Sequence, residues 1–143
     1  MKQKLKTILL IDDDEATNFL NEMNIQNTEI AEQVVIAWNG KEALDYLTNT
    51  GMYANNGNHF PQPDLIFLDI NMPVMDGWEF IKAYHALDEN QKGKKVVVML
   101  TTSINEDDRI KAATISEITN FKSKPLLPDD LMELVEAYFP DYF

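Results

Sequence analysis

Five short runs rich in β-branched residues and leucine are spaced along the chain, and each is followed by a segment with helical periodicity. The runs are 7–11 (TILLI), 34–38 (VVIAW), 64–68 (DLIFL), 96–100 (VVVML) and, more weakly, 118–122 (ITNFK). They are apolar on both faces, which suits parallel strands covered on both sides. Strands that alternate with helices predict a parallel, doubly wound α/β sheet with right-handed crossovers.

The spacing also predicts which helix faces turn inward. Ala16, Phe19, Leu20 and Met23 mark the first helix. Asn39 is expected to cap the second, with Glu42 as its capping-box partner and Ala43, Leu44 and Leu47 facing the core. Phe80, Ile81, Tyr84 and Leu87 mark the third. The fourth starts near Asn105 with Ile110, Ala113 and Thr114 inward, and Pro128 and Asp129 open the fifth, whose stripe is Leu131, Leu134, Val135 and Tyr138.

Composition narrows the function. The chain has 143 residues, 45% of them apolar, which fits one ordinary domain with a real core. It carries 12 basic against 24 acidic residues, a net charge of −12, and its only arginine is Arg109. Such a chain repels phosphate backbones and anionic lipid, so no nucleic-acid or membrane partner is expected. The absence of cysteine removes disulfides, thiolate metal sites and a cysteine nucleophile. His59 and His85 stand apart, too few for a zinc site or a histidine-based triad. No apolar run is long enough for a signal peptide or a membrane span, which makes the cytoplasm the default location.

One stretch breaks the regular spacing. Asn49 to Pro63 (NTGMYANNGNHFPQP) reads as a long loop between the second helix and the third strand. It is either a tolerated surface insertion or a partner contact through Met52, Tyr53 and Phe60.

The strand ends carry the chemistry. Asp12, Asp13, Asp14 and Glu15 follow strand one, Asp69 follows strand three, Thr101 and Thr102 follow strand four, and Lys124 and Pro125 follow strand five. In a doubly wound sheet these positions converge on the edge where such folds bind ligands. Taken singly, Asp14 reads first as a helix cap, the threonines as strand formers and the lysine as a loop residue. Their joint placement favours a site. Clustered carboxylates repel one another unless a cation sits among them, and oxygen-only donors select a hard ion such as Mg²⁺. Carboxylates with Mg²⁺, a hydroxyl from Thr101 and an ammonium from Lys124 make a set for phosphoryl transfer to a carboxylate.

Four blocks in order then carry a resemblance: ILLIDDD at 8–14, LIFLDINMPVMDGWEF at 65–80, VVVMLTT at 96–102 and KSKP at 122–125. Over roughly Lys6 to Phe139 the sequence resembles the receiver domain of two-component response regulators. The resemblance implies a flavodoxin-like (βα)5 fold with strand order 2-1-3-4-5. It implies that Asp69 is the phospho-acceptor, and that Asp13 binds Mg²⁺ directly while Asp12 acts mainly through a coordinated water. The backbone carbonyl of Asn71 would be a further metal ligand. Thr101 would donate to a phosphoryl oxygen, Lys124 would pair with another, and Phe121 would be the switch aromatic. The Lys124–Pro125 bond is expected to be cis, and Gly77 to adopt a conformation that other residues resist. The side chains of Asn71 and Ser103 would tune the acyl-phosphate lifetime, although both could be ordinary loop groups.

The resemblance further implies a phosphodonor that is a sensor histidine kinase or histidine phosphotransfer protein. Phosphorylation would switch a surface of helix four, strand five and helix five toward a downstream protein target or a homodimer. Residues 1–143 read as a single receiver without an output domain, because the chain ends at Phe143 just after the fifth helix. Its aromatic tail, Tyr138 to Phe143, reads as core packing or as a dimer or partner contact.

Some positions depart from the usual pattern. Residues 115–120 (ISEITN) hold no glycine before strand five, Thr102 stands where alanine is common, and Phe121 replaces tyrosine. The long 49–63 loop resembles that of short, stand-alone regulators that include partners of bacterial phytochromes. A haloacid-dehalogenase-type phosphatase would need an acid two residues after its nucleophile, where Asn71 stands. A flavodoxin-like carrier would need a phosphate loop where Asp12 to Glu15 lie. The remaining alternative is a receiver-like interaction module that does not use phosphate.

Overall fold

The computed structural model describes residues 3–50, 62–72, 74–88, 96–102 and 105–142. The strands are β1 (Leu5–Ile11), β2 (Ala31–Ala37), β3 (Leu65–Asp69), β4 (Val96–Thr101) and β5 (Ile118–Ser123). The helices are α1 (Glu15–Thr28), α2 (Gly40–Thr48), α3 (Gly77–His85), α4 (Glu106–Ala113) and α5 (Pro128–Tyr138), followed by a short 3-10 turn, Pro140–Tyr142. The five strands form one parallel sheet in the order β2-β1-β3-β4-β5, as expected. Each run appears within a few residues of its expected position; β2 shifts most, since it starts at Ala31 and leaves Trp38 outside.

Alternate strand residues serve opposite faces. Leu9, Ile11, Ile66, Leu68, Val97 and Met99 meet α2 and α3 on one side. Ile8, Leu10, Leu65, Phe67, Val98 and Leu100 meet α1 and α5 on the other. The α5 stripe of Leu131, Leu134 and Val135 is buried as the spacing predicts. Tyr138, Phe139 and Tyr142 pack against the second core, and Tyr142 accepts the Gln3 N–H at 3.2 Å. The described part of the aromatic tail therefore closes the base of the domain.

Two helix faces differ from expectation. In α1, Phe19 is 68% exposed, and Leu20 and Met23 also face outward, while Asn18, Asn21 and Ile25 are buried. The inner face carries Ile25 and the side-chain hydrogen bonds of the asparagines, described below, rather than the apolar stripe. In α4 the only buried residue is Ala112; Ile110 is 56% exposed, and Ala113 and Thr114 are exposed too. At 100° per residue, an inward Ala112 carries Ile110 and Thr114 to the far side. Asn105 caps this helix through the Asp107 N–H at 2.8 Å, and the Lys111 ammonium sits 4.4 Å above the Trp78 ring of α3.

The glycine-free approach to β5 is resolved by a bulge. Val97 pairs with Ile118 and Val98 with Asn120, which leaves Thr119 extra. The Tyr138 hydroxyl from α5 donates to the Thr119 carbonyl at 3.3 Å and so serves the displaced backbone. At α2, Asn39 accepts from the Glu42 N–H at 2.9 Å. Glu42 reaches back to the Trp38 N–H at 3.2 Å instead of closing a capping box. Met52, Tyr53, His59, Phe60 and Ser103 lie outside the described residues.

The orientation of α1 sets a first test. Phe19→Gln is expected to change stability by no more than about 0.5 kcal/mol, whereas Ile25→Ala should cost about 2–5 kcal/mol. Urea unfolding of both variants reads the difference; the reverse order would mean that the apolar stripe faces the core.

Candidate functional site

Sheet register brings the expected residues to one edge. Ile11 lies beside Leu68, Asp69 beside Leu100, and Thr101 beside Ser123. Asp12, Asp69 and Thr101 are all buried at the strand ends. Asp13 is exposed, and its carboxylate, with those of Asp12 and Asp69, offers oxygens that lie within 4.8 Å of one another.

Lys124 enters from the far side of the sheet. Its ammonium lies 2.9 Å from Asp12 Oδ2 and 2.9 Å from Asp69 Oδ1, with the side chains of all three largely shielded from solvent. Its own backbone N–H donates to the Thr101 carbonyl at 2.7 Å, and the Lys124–Pro125 bond is cis. Asp12 Oδ1 accepts the Asp14 N–H at 3.0 Å. Both Asp12 oxygens are thus engaged. Asp14 takes no part in the cluster. It caps α1 by accepting the Thr17 N–H at 2.9 Å and the Thr17 hydroxyl, and these bonds hold its carboxyl below the usual range.

Electrostatics follow from this crowding. Burial pushes the Asp69 carboxyl above its ordinary value; Asp12 and Asp13 push the same way, and the hydrogen bond from Lys124 opposes them. For Lys124, burial works to lower the ammonium's value, but its bonds to Asp12 and Asp69 outweigh it and raise the net value. Each carboxylate stabilises the ammonium, and one ammonium does not neutralise three carboxylates. The donor set is all oxygen, compact and under-neutralised, so Asp12, Asp13 and Asp69 fit a hard divalent cation.

The loop after Asp69 is tightly built. Ile70 donates to the Leu100 carbonyl at 3.3 Å, and Gly77 donates to the Ile70 carbonyl at 2.8 Å. Gly77 starts α3 and is required for space rather than for an unusual dihedral: a Cβ there would lie 2.6 Å from the Asp69 carbonyl oxygen. Asp76 accepts the Glu79 N–H at 2.8 Å and Glu79 accepts the Asp76 N–H at 3.1 Å, a full capping box. Its D-x-x-E spacing is readable in DGWE. Asn71 is exposed on this loop. Val74 is 79% exposed and holds φ at 69°, which a β-branched residue resists. Phe121 is partly buried and packs against the first core.

A family model described as response regulator receiver domain matches residues 8–136. The chain belongs to the response regulator receiver family. The receiver is 33% identical over 133 residues to the response regulator Rcp1 of Synechocystis sp., which covers 92% of this chain and 85% of that one. A solved two component response regulator from Cytophaga hutchinsonii superposes with a TM-score of 0.83 at 32% identity, covering 96% of this chain and 99% of that one. The bacteriophytochrome response regulator AtBRR superposes with a TM-score of 0.79 at 29% identity, covering 96% and 94%. Receivers are the phosphoacceptor domains of two-component signalling, and they bind Mg²⁺ at an acidic site. No helix among the described residues is long and apolar enough to cross a membrane.

Sequence reasoning does not find three residues that shape this site, Asn18, Asn21 and Asn24. The Asn18 amide donates to the Asp12 carbonyl at 2.9 Å. Their only signal is polar residues recurring along one face of a helix.

Two measurements probe the site without its chemistry. Val74→Gly relieves the backbone and should raise stability by about 0.5–1 kcal/mol in denaturant unfolding; a loss would mean that the valine side chain packs usefully. Asp69→Asn should stabilise the metal-free receiver at neutral pH, because a carboxyl whose folded value is raised disfavours the fold once ionised. As pH falls through that raised value toward the unfolded one, the wild type regains the difference. Thermal melts of both proteins across pH should therefore converge in acid, and added Mg²⁺ should narrow the gap at neutral pH.

Proposed function

We propose that this receiver takes a phosphoryl group from a phosphohistidine onto Asp69 and uses the change in charge to alter a protein-binding surface. The observation that carries this reading is the Lys124 ammonium held 2.9 Å from both Asp12 and Asp69 in a buried, all-oxygen cluster. The Asp69 carboxylate attacks phosphorus, the phosphorus–nitrogen bond of the phosphohistidine breaks, and the donor imidazole leaves with that electron pair and is protonated. The product is an acyl phosphate, which water later hydrolyses.

Each residue has a part in this scheme. Lys124 follows the negative charge as it moves from the Asp69 oxygen to a phosphoryl oxygen. The Thr101 hydroxyl donates to another. Asp13, Asp69 and the Asn71 backbone carbonyl would hold Mg²⁺, with Asp12 acting mainly through a coordinated water, since each of its oxygens already accepts one hydrogen bond. When bound, the ion offsets negative charge on the transferring group. The receiver is therefore no enzyme on a separate substrate; it assists only its own phosphorylation and dephosphorylation. The donor is a sensor histidine kinase or histidine phosphotransfer protein, which places the receiver in the cytoplasm.

The output would run through Thr101 and Phe121. Thr101 ends β4, and Phe121 lies on the neighbouring strand β5, paired with Met99 two residues before Thr101, with only partial burial. Movement of Thr101 toward new phosphoryl oxygens frees space for Phe121. α4 buries a single alanine, so a small change there can reposition it. A downstream protein or a second receiver would meet the α4–β5–α5 surface.

Acetyl phosphate with Mg²⁺ should produce a shifted band on a phosphate-affinity gel for wild type. The band should vanish in Asp69→Asn and after chelation, and Lys124→Gln should slow its appearance by about 10²-fold. A band that persists in Asp69→Asn would move the acceptor elsewhere.

A further inference from the structure

The buried face of α1 is unusual. Asn18 and Asn21 are each only 1% exposed, and Asn24 follows three residues on. Spacing of three puts all three amides on one side of the helix. A helix facing a core gains most from leucine or isoleucine there, yet here Phe19, Leu20 and Met23 point outward.

The amides act on two backbone segments that border the phosphorylation site. Asn18 Nδ2 donates to the Asp12 carbonyl at 2.9 Å, at the end of β1. The Leu126 N–H donates to Asn21 Oδ1 at 2.9 Å, and Asn24 Nδ2 donates to the Leu126 carbonyl at 2.7 Å. Both polar groups of the Leu126 backbone are thereby held by α1. Leu126 is two residues past Lys124, and its side chain is fully buried in the second core. Lys124 is fixed from its other side through the Thr101 carbonyl at 2.7 Å.

We infer that Asn18, Asn21 and Asn24 are positioning residues that hold the end of β1 and the β5–α5 loop in the register that sets Lys124 against Asp12 and Asp69. The inference rests on the reading of Asp69 as phosphoacceptor and Lys124 as the partner of a phosphoryl oxygen. A lysine reaches its target on a flexible four-carbon stem, so its aim depends on where its Cα is anchored. The Asp12 carbonyl and the two Leu126 groups are the anchors. Small losses of aim at a reacting centre have large kinetic effects.

The test measures the rate of Asp69 phosphorylation by acetyl phosphate at saturating Mg²⁺, at a temperature where every protein is fully folded. Asn24→Ala is expected to slow the reaction about tenfold while Mg²⁺ affinity stays at the wild-type value. Asn24→Asp, which keeps the shape and removes the donor, should do the same if Asn24→Ala does not fold. Ile25→Val, a core truncation on the same helix, should lower the melting temperature and keep the wild-type rate. In a Lys124→Gln background, Asn24→Ala should have no further effect, because the residue it positions is gone. A folded Asn24 variant with the wild-type rate, or an equal loss in the Lys124→Gln background, overturns the inference. Failure of the wild type itself to be phosphorylated would overturn the reading of Asp69 as well, and the two failures are distinct.

Discussion

Three carboxylates cannot share one edge of a sheet without a positive charge, and Lys124 is the cation that the chain itself provides. Two of those carboxylates, Asp12 and Asp69, are nearly inaccessible to solvent. Buried charges are tolerated when each has a well-placed partner, and removing one partner is more damaging than never having had the pair. Much of the local architecture satisfies that requirement. β3 places Asp69, the end of β1 places Asp12, and β4 lies between β3 and β5, so the ammonium must cross the top of β4 to reach both. The Thr101 carbonyl on β4 anchors the backbone from which it crosses.

Elements around this charge cluster differ in how firmly they are held. α3 is locked to β3 by the Gly77–Ile70 bond and by backbone contact too close for a Cβ. α5 buries a full stripe and reaches the β5 bulge through Tyr138. α4 has one buried residue, an aspartate-rich first turn and a cation–π contact to α3. A helix with so little buried apolar surface can shift at small cost. This contrast would give the switch proposed above a physical basis: β3 and α3 are firmly joined, and the helix beside β5 is the part free to respond.

The strands were readable because a strand covered on both faces needs a continuous apolar run, whereas their order came with the resemblance to receivers. The site was readable for a related reason, since alternating strands and helices put every strand end on one edge. What could not be read were faces and reasons. The apolar residues of α1 follow helical spacing, yet the opposite side, with the side-chain hydrogen bonds of Asn18, Asn21 and Asn24, faces inward. Those bonds end on backbone atoms of Asp12 and Leu126, and the latter is 102 residues from Asn24. No local pattern encodes such a partner. Ile110 misleads for a similar reason, because on a two-turn helix a single inward alanine sets the rotation. Gly77 is identified correctly as special but for the wrong cause, since its crowding by Asp69 exists only in the folded chain.

Several features here run against stability taken alone: paired buried carboxylates, buried amides on α1, a valine at positive φ and a helix that buries only one alanine. Each lies at the carboxyl edge of the sheet or on an element that touches it. The amino edge is closed conventionally, with Leu5 bonded to Ile30, Asp64 to Thr7, and Tyr142 to Gln3. Local departures from good folding practice persist when the rest of the molecule over-determines the structure. Two cores on either side of a five-stranded sheet supply that excess. The sheet therefore does more than place residues at one edge. It supplies the stability that lets those residues stay charged, crowded and partly strained.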